Sequence, residues 1–211
     1  RLNGYLEDYS YLINALIDVF EATAEARYLD LATNLANHTI DHFWDEKNNS
    51  FYFTADNHES LIIRPKNNYD LSMPSGNSVA ANALLKLYHL TQQQRFLEIS
   101  VKTMEAFALA AAENPFGFGY LLNTIYLYLE KPTEITLLNP VNKEIADFVT
   151  KKFLPEAIIV TIPTADKLAK LSKYSFFAGK EFADETTVYV CKNFTCSLPL
   201  KTTQEIESLL G

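Results

Sequence analysis

Leu6, Tyr9, Leu12, Ile13, Leu16, Val19 and Phe20 recur at spacings of three and four, which lays one apolar stripe along a helix. Tyr28, Leu31, Ala32, Leu35, Ala36, Thr39, Ile40 and Phe43 repeat the pattern in a second helix. The link between them, Ala22 to Arg27, is short, so the two predict an antiparallel helical hairpin. FYFT (51–54) and LIIR (61–64), separated by ADNHES, predict a small β-hairpin on a long loop. A third helix is expected from about Ser75 to Leu90, with Val79, Ala83, Leu84 and Leu87 on its apolar face. A fourth runs from about Gln94 to Ala112, where Asn114-Pro115 stops it, and a fifth from about Gly119 to Glu130, before Pro132.

Beyond Pro132 the pattern changes. EITLL (134–138) is a short apolar run, AIIVTI (157–162) a β-branched one, and with TTVYVC (186–191) they predict three strands. Helical patterns at 142–153, 164–171 and 202–210 alternate with them, which implies parallel pairing through right-handed crossovers. The expected fold class is mainly α with an appended α/β unit: a helical-hairpin region over 1–132, with a β-hairpin near 51–64, and a small three-stranded parallel-sheet module over 133–211.

The first hairpin recurs. NALIDVFEATAEARYLD (14–30) aligns with NALLKLYHLTQQQRFLE (82–98), so that Asn14, Ala15, Leu16, Thr23, Arg27 and Leu29 return as Asn82, Ala83, Leu84, Thr91, Arg95 and Leu97. A repeated helix–turn–helix unit stacks on its neighbours and buries its apolar faces there.

The 211 residues allow one compact body or two modest domains. A hydrophobic content of 48% with 21% charged residues is that of a globular chain with a real core. The formal net charge of −8 argues against nucleic acid and anionic membrane surfaces as partners. No apolar run approaches the roughly 18 residues of a membrane span, and no signal peptide is visible. Two cysteines suit a reducing compartment, and the expected location is cytoplasmic. The chain starts at Arg1 rather than Met, as a piece of something longer would.

YDLSMPSGNS (69–78), between two apolar periodic segments, packs an acid, a proline, a glycine and four Ser or Asn side chains into ten residues. Pro74 suits a helix's first turn, Ser72 or Ser75 can cap its N–H groups, Gly76 lets a neighbouring chain or a ligand approach, and Asp70 complements the helix's positive end. That is a capped helix start; it is also how anions and hydroxyl-rich ligands are bound. Glu7 and Asp8 occupy the first turn of the first helix. If the hairpins pack side by side, the starts of helices one and three share a rim, and Glu7, Asp8 and Asp70 face one cleft. Paired carboxylates are the tools of glycoside chemistry, one protonating the leaving oxygen and one acting as base or nucleophile. Ser75, Gly76 and Asn77 would line such a cleft, with Tyr9, Trp44 and Phe53 as aromatic walls for sugar faces and Arg64 and Lys66 as partners for the acids or a ligand carboxylate. Tyr5, Phe51 and Tyr52 are further aromatic candidates.

His38 and His42 lie one helical turn apart with Asp45 nearby, but with no third His in their pattern and no HExxH no metal site is expected. Cys191 and Cys196 are separated by KNFT, unlike a CxxC redox motif; two free thiols, a disulfide and a redox role all remain open. No Walker A, GxGxxG or Gly-x-Ser-x-Gly pattern occurs, and no cofactor is expected.

LEDYSYLINALIDVFEAT, FWDEKNNSFYFT, LIIRPKNNYDLSMPSGNSVAANALLKL and TTVYVCKNFTCSLP together resemble the C-terminal part of the YyaL-type thioredoxin-domain-containing family, the relatives of spermatogenesis-associated protein 20. The resemblance spans nearly the whole chain and is most specific at 70–78 and 191–199. It implies an (α/α)6 toroid of the six-hairpin glycosidase type, similar to N-acylglucosamine and cellobiose 2-epimerases, behind an N-terminal thioredoxin-like domain. Here the two and a half hairpins are too few to close a ring, the thioredoxin-like domain is absent, and no His falls in an epimerase motif. The expectation is a fragment of a carbohydrate-binding or carbohydrate-active protein, epimerase- or hydrolase-like, with a sugar ligand, the rest of a parent chain and self-association through exposed hairpin faces as partners. The alternative is a redox-linked or scaffolding module that supports a thioredoxin-like domain.

Overall fold

The computed structural model describes residues 4–58 and 63–210. Eight α-helices and six short strands are found among them, so the chain is mainly helical with a small sheet. The chain divides into two compact units: Arg1–Ile17 with Tyr28–Tyr126, and Asp18–Arg27 with Leu127–Gly211.

α1 (Leu6–Thr23) and α2 (Ala26–Phe43) form the expected hairpin, whose tip over 18–27 falls in the second unit, and α3 (Gly76–Thr91) and α4 (Gln94–Glu113) of the first unit form its repeat. The repetition reaches the turns. Thr23 Oγ donates to the Val19 carbonyl at 2.7 Å and Thr91 Oγ to that of Leu87 at 2.6 Å. The next residue is left-handed in both, Ala24 at φ 52° and Gln92 at φ 59°, and its N–H closes on Phe20 or Tyr88. A left-handed residue just past the last turn pairs carbonyls that the helix leaves open. The matched threonines and the equal turn lengths therefore code one structure twice.

α3 is buried almost all round. Gly76, Ser78, Ala80, Ala81 and Ala83 keep its girth small, as a central helix with neighbours on several sides requires. Ala81 meets Met104, Phe107 and Ala111 of α4 and Phe118 and Leu121, the last in α5 (Gly119–Glu130).

The predicted β-hairpin is displaced. β1 (Trp44–Asp45) pairs antiparallel with β2 (Ser50–Phe51), so Phe51 alone of FYFT is in a strand. Residues 61 and 62 of LIIR lie outside the described residues, and Ile63 and Arg64 are not in a strand. The turn chemistry explains the shift. The Asp45 carboxylate accepts from Lys47 N–H and Asn48 Nδ2, and Asn49 takes a left-handed φ of 51°, which makes DEKNNS the tight connection. Further along, Tyr52, Phe53 and Asp56 give their N–H groups to Phe43, Pro65 and His42 rather than to a ladder.

In the second unit the sheet is mixed, not parallel, and has four strands in the order β4-β3-β5-β6: β3 Thr133–Leu138, β4 Ala157–Ile162, β5 Thr187–Lys192 and β6 Thr195–Cys196. β3 and β4 pair in parallel around α6 (Lys143–Lys151), as the alternation predicts, but β5 runs antiparallel to β3 from Leu138↔Thr187 to Glu134↔Cys191. After β4 comes α7 (Ala165–Leu171). Residues 172–186 then bring the chain back in at the Leu138 end of β3. Ile135, Leu137, Val188 and Val190 pack on Ile145 and Val149 of α6 and Ile206 of α8 (Thr203–Leu210). Residues 18–27 belong to this unit: Lys167 Nζ donates to the Thr23 carbonyl at 2.7 Å and pairs with Glu25 at 3.0 Å, and the Phe20 and Phe177 rings meet edge-on.

Candidate functional site

The starts of α1, α3 and α5 come together in the first unit, as expected for the first two. A methyl group added at Gly76 would lie 2.8 Å from Leu6 Cγ and 3.3 Å from Glu7 Cδ, so the opening turns of α1 and α3 are in contact. Glycine is required there by that approach. Ser75 caps α3, its Oγ accepting from Ser78 N–H at 3.1 Å, while Pro74 stays ahead of the cap.

Asp70 ties the rim. Its Oδ1 accepts from Ser75 N–H at 2.8 Å and its Oδ2 from Tyr120 and Leu121 N–H at 2.9 and 3.1 Å. It is 8% exposed. Asp70 thus caps α5, where its negative charge meets unpaired N–H groups and the positive end of the helix dipole. Asn77 is wholly buried; its Oδ1 accepts from Phe51 N–H, and its Nδ2 donates to the Phe51 and Asn67 carbonyls. It continues β2's hydrogen bonding as a backbone amide would.

Glu7 differs. Its Oε1 accepts from Asn67 Nδ2 at 3.2 Å, while Oε2 is buried with no hydrogen-bond partner among the described residues. Asn68 Oδ1 is in the same condition. A buried polar atom without a partner costs about 1–3 kcal/mol, and native structures hold few. Tyr11, one turn along from Glu7, donates to the Pro74 carbonyl at 2.9 Å. Burial raises its phenol's pKa, and the nearby charges of Glu7 and Asp70 raise it further, so both carboxylates act on one hydroxyl. Asp8 is exposed and accepts from Tyr5 N–H at 2.8 Å, at the start of its own helix.

Aromatic rings flank α1. Tyr5 stacks on Phe53 with centroids 4.6 Å apart and reaches His58 at 5.4 Å. Tyr9 stacks on His38 and tilts against Phe43, and His38 lies 4.4 Å from His42. The His42 imidazole, 2.8 Å from Asp56, holds that carboxyl below its usual range. Among the described residues no three His, Cys, Asp or Glu side chains are placed to hold a metal ion.

Arg64 and Lys66 are engaged elsewhere. Arg64 donates to the Thr54 and His42 carbonyls. Lys66 donates to Asp45 at 2.6 Å and Ser50 at 2.8 Å, and both cations lie over the Tyr52 ring. Hydrogen bonds from Asn48 first, then Lys66, hold the Asp45 carboxyl far below its ordinary value. Trp44 joins this hairpin cluster, edge-on to Phe51, with Nε1 donating to Glu46 at 2.7 Å. Tyr11, Asn67, Asn68 and His58 were not singled out in the sequence; only Tyr11, four residues beyond Glu7, had a periodic signal. In the second unit, Cys191 and Cys196 form a disulfide across β5 and β6.

The class these features define is a helical-hairpin protein with a polar rim at its helix starts. No family model matches the chain. Along 98% of its length it is 26% identical to human and to mouse spermatogenesis-associated protein 20, and along its whole length 24% identical to the uncharacterized protein B0495.5 of Caenorhabditis elegans. It spans 27% of the length of the human and mouse proteins and 29% of the nematode one.

Proposed function

We propose that the chain is part of a carbohydrate-binding or carbohydrate-active α/α-hairpin protein of the six-hairpin glycosidase-like type, with its site at the rim where α1, α3 and α5 begin. The observation that supports this most is Glu7 Oε2, a buried carboxylate oxygen without a partner among the described residues; Asn67 donates to the other oxygen of this carboxylate, and the following residue, Asn68, has a buried Oδ1 that is likewise unpaired. Hydroxyl groups of a sugar would satisfy both acceptors. Glu7 is the acid or base of this reading, and Tyr11 is its neighbour. Asp70, held by three N–H groups, positions the rim rather than moving protons. Tyr5 and Phe53 supply an aromatic face of the kind sugars stack on.

The test is incubation with a panel of mono- and disaccharides, following anomeric and C2 protons by NMR. New sugar signals that disappear in Glu7→Gln support an enzyme with that acid. No turnover and no line broadening with any sugar removes the proposal. Asp70→Asn is the wrong control, since losing a helix cap would abolish activity for structural reasons.

A second reading, a scaffold for a thioredoxin-like domain, draws on exposed apolar side chains in the first unit: Leu71 is 81% and Phe116 96% exposed. Sedimentation of a mixture with such a domain would show a complex if this reading holds and two separate species if it does not.

A further inference from the structure

We propose that Cys191 and Cys196 form a thiol–disulfide exchange centre, in which Cys196 is the sulfur that meets an external dithiol or disulfide and Cys191 is the buried sulfur that resolves the mixed disulfide. This inference is independent of the carbohydrate reading and lies in the other unit.

Three observations carry it. The first is position in the hairpin. Cys191 and Cys196 oppose each other across β5 and β6, and Lys192↔Thr195 closes the next rung. Asn193 and Phe194 form the turn with φ of 51° and 61°, a two-residue connection with both residues left-handed that suits the strands' own twist. Cross-links stabilise mainly by closing long loops in the unfolded chain. This one joins residues five apart in sequence that the ladder already brings together, so it adds less than a cross-link across a long loop would.

The second is asymmetry. Cys191 is 1% exposed and stands opposite Glu134 in the ladder, whereas Cys196 is exposed on a two-residue strand. An attacking thiolate reaches Cys196 and not Cys191. The third is Lys180, whose Nζ lies 3.8 Å from Cys196 Sγ and also donates to the Phe176 carbonyl. An ammonium group beside a sulfur favours its thiolate. Burial lowers the Lys180 pKa to about 8, so near neutrality it remains largely charged.

The exchange balances as follows. In the reduced protein the Cys196 thiolate attacks one sulfur of an external disulfide; a Cys196–partner bond forms, the partner's S–S bond breaks, and its second sulfur leaves as a thiolate. Cys191 loses its proton to solvent and attacks Cys196 Sγ, closing the internal disulfide and expelling the partner's first sulfur. Two electrons pass to the partner, which takes up two protons as a dithiol. An external dithiol runs the sequence backwards.

The chain is equilibrated with mixtures of oxidised and reduced dithiothreitol, starting from each redox form, then quenched, alkylated and weighed. The proposal predicts interconversion without denaturant, the same end point from both directions and an unchanged far-ultraviolet circular dichroism spectrum. It also predicts that reduced Cys191→Ser captures glutathione on Cys196 from oxidised glutathione, releasing one glutathione thiolate, at least about tenfold faster than reduced Cys196→Ser captures it on Cys191, and that adding Lys180→Gln slows capture on Cys196. Reduction only in denaturant, or equal capture by the two variants, would overturn it. If a variant does not fold, the titration of the unaltered chain decides alone.

Discussion

The Asp70 carboxylate meets three backbone N–H groups, and in Asp70→Asn an amide N–H₂ would face donors that now face an oxygen. Hydrogen bonds to a charged group contribute about 1.5–3 kcal/mol. Urea unfolding of Asp70→Asn should show a loss of about 2–3 kcal/mol, with no recovery in Asp70→Glu, whose longer arm misplaces both oxygens. Glu7→Gln should change stability by less than about 1 kcal/mol, since its Oε2 has no partner to lose. Asp45 carries a pH dependence. Because its carboxyl is held below the ordinary value, its contribution is complete above about pH 5 and is lost as the pH falls through 4 and below. Unfolding midpoints followed from pH 6 to pH 3 should fall less steeply in Asp45→Asn, which should itself cost about 2 kcal/mol at pH 7 through the buried contact with Lys66.

At the scale of elements, the sharpest case is Gly76. Helix propensity alone says that Ala in its place would stabilise α3. The added methyl would instead meet Leu6 Cγ at 2.8 Å, so Gly76→Ala should destabilise by about 1–3 kcal/mol in thermal unfolding. Gln92→Gly should have the opposite sign, a gain of about 1 kcal/mol, because the position is left-handed at φ 59°. The helices, their hairpin turns and the repeat were legible in the sequence because period, threonine and turn length are local signals. The direction of β5 was not: it depends on where the path of 172–186 brings the chain back to β3, which no local period encodes. The β-hairpin was misplaced because FYFT has strand propensity, while the Asp45–Asn49 turn chemistry decides the pairing.

At the scale of the molecule, the candidate site was half legible. Helix starts rich in acids and small polar residues pointed to the rim, and Gly76 against Leu6 and Glu7 puts α1 and α3 there together. What sequence could not divide was the labour of the acids. Glu7 and Asp70 look alike as residues, and only their partners distinguish an acceptor left open from one fully used. Likewise Arg64 and Lys66 read as partners for the rim acids or a ligand carboxylate until their bonds to Thr54, Asp45 and Ser50 are traced. The similarity to spermatogenesis-associated protein 20 covers nearly all of this chain and about a quarter of that one, so the proposed activity has to be sought in these residues directly.

The most direct measurement is a ¹H–¹⁵N correlation spectrum of the chain titrated with each sugar of the panel, for the unaltered protein and for Glu7→Gln. The account predicts saturable shifts at the amides of Glu7, Tyr11, Asn67, Asn68 and Gly76, abolished or weakened at least about tenfold by the substitution, which corresponds to about 1.4 kcal/mol. Spectra that no sugar perturbs, or shifts that Glu7→Gln leaves unchanged, would contradict it.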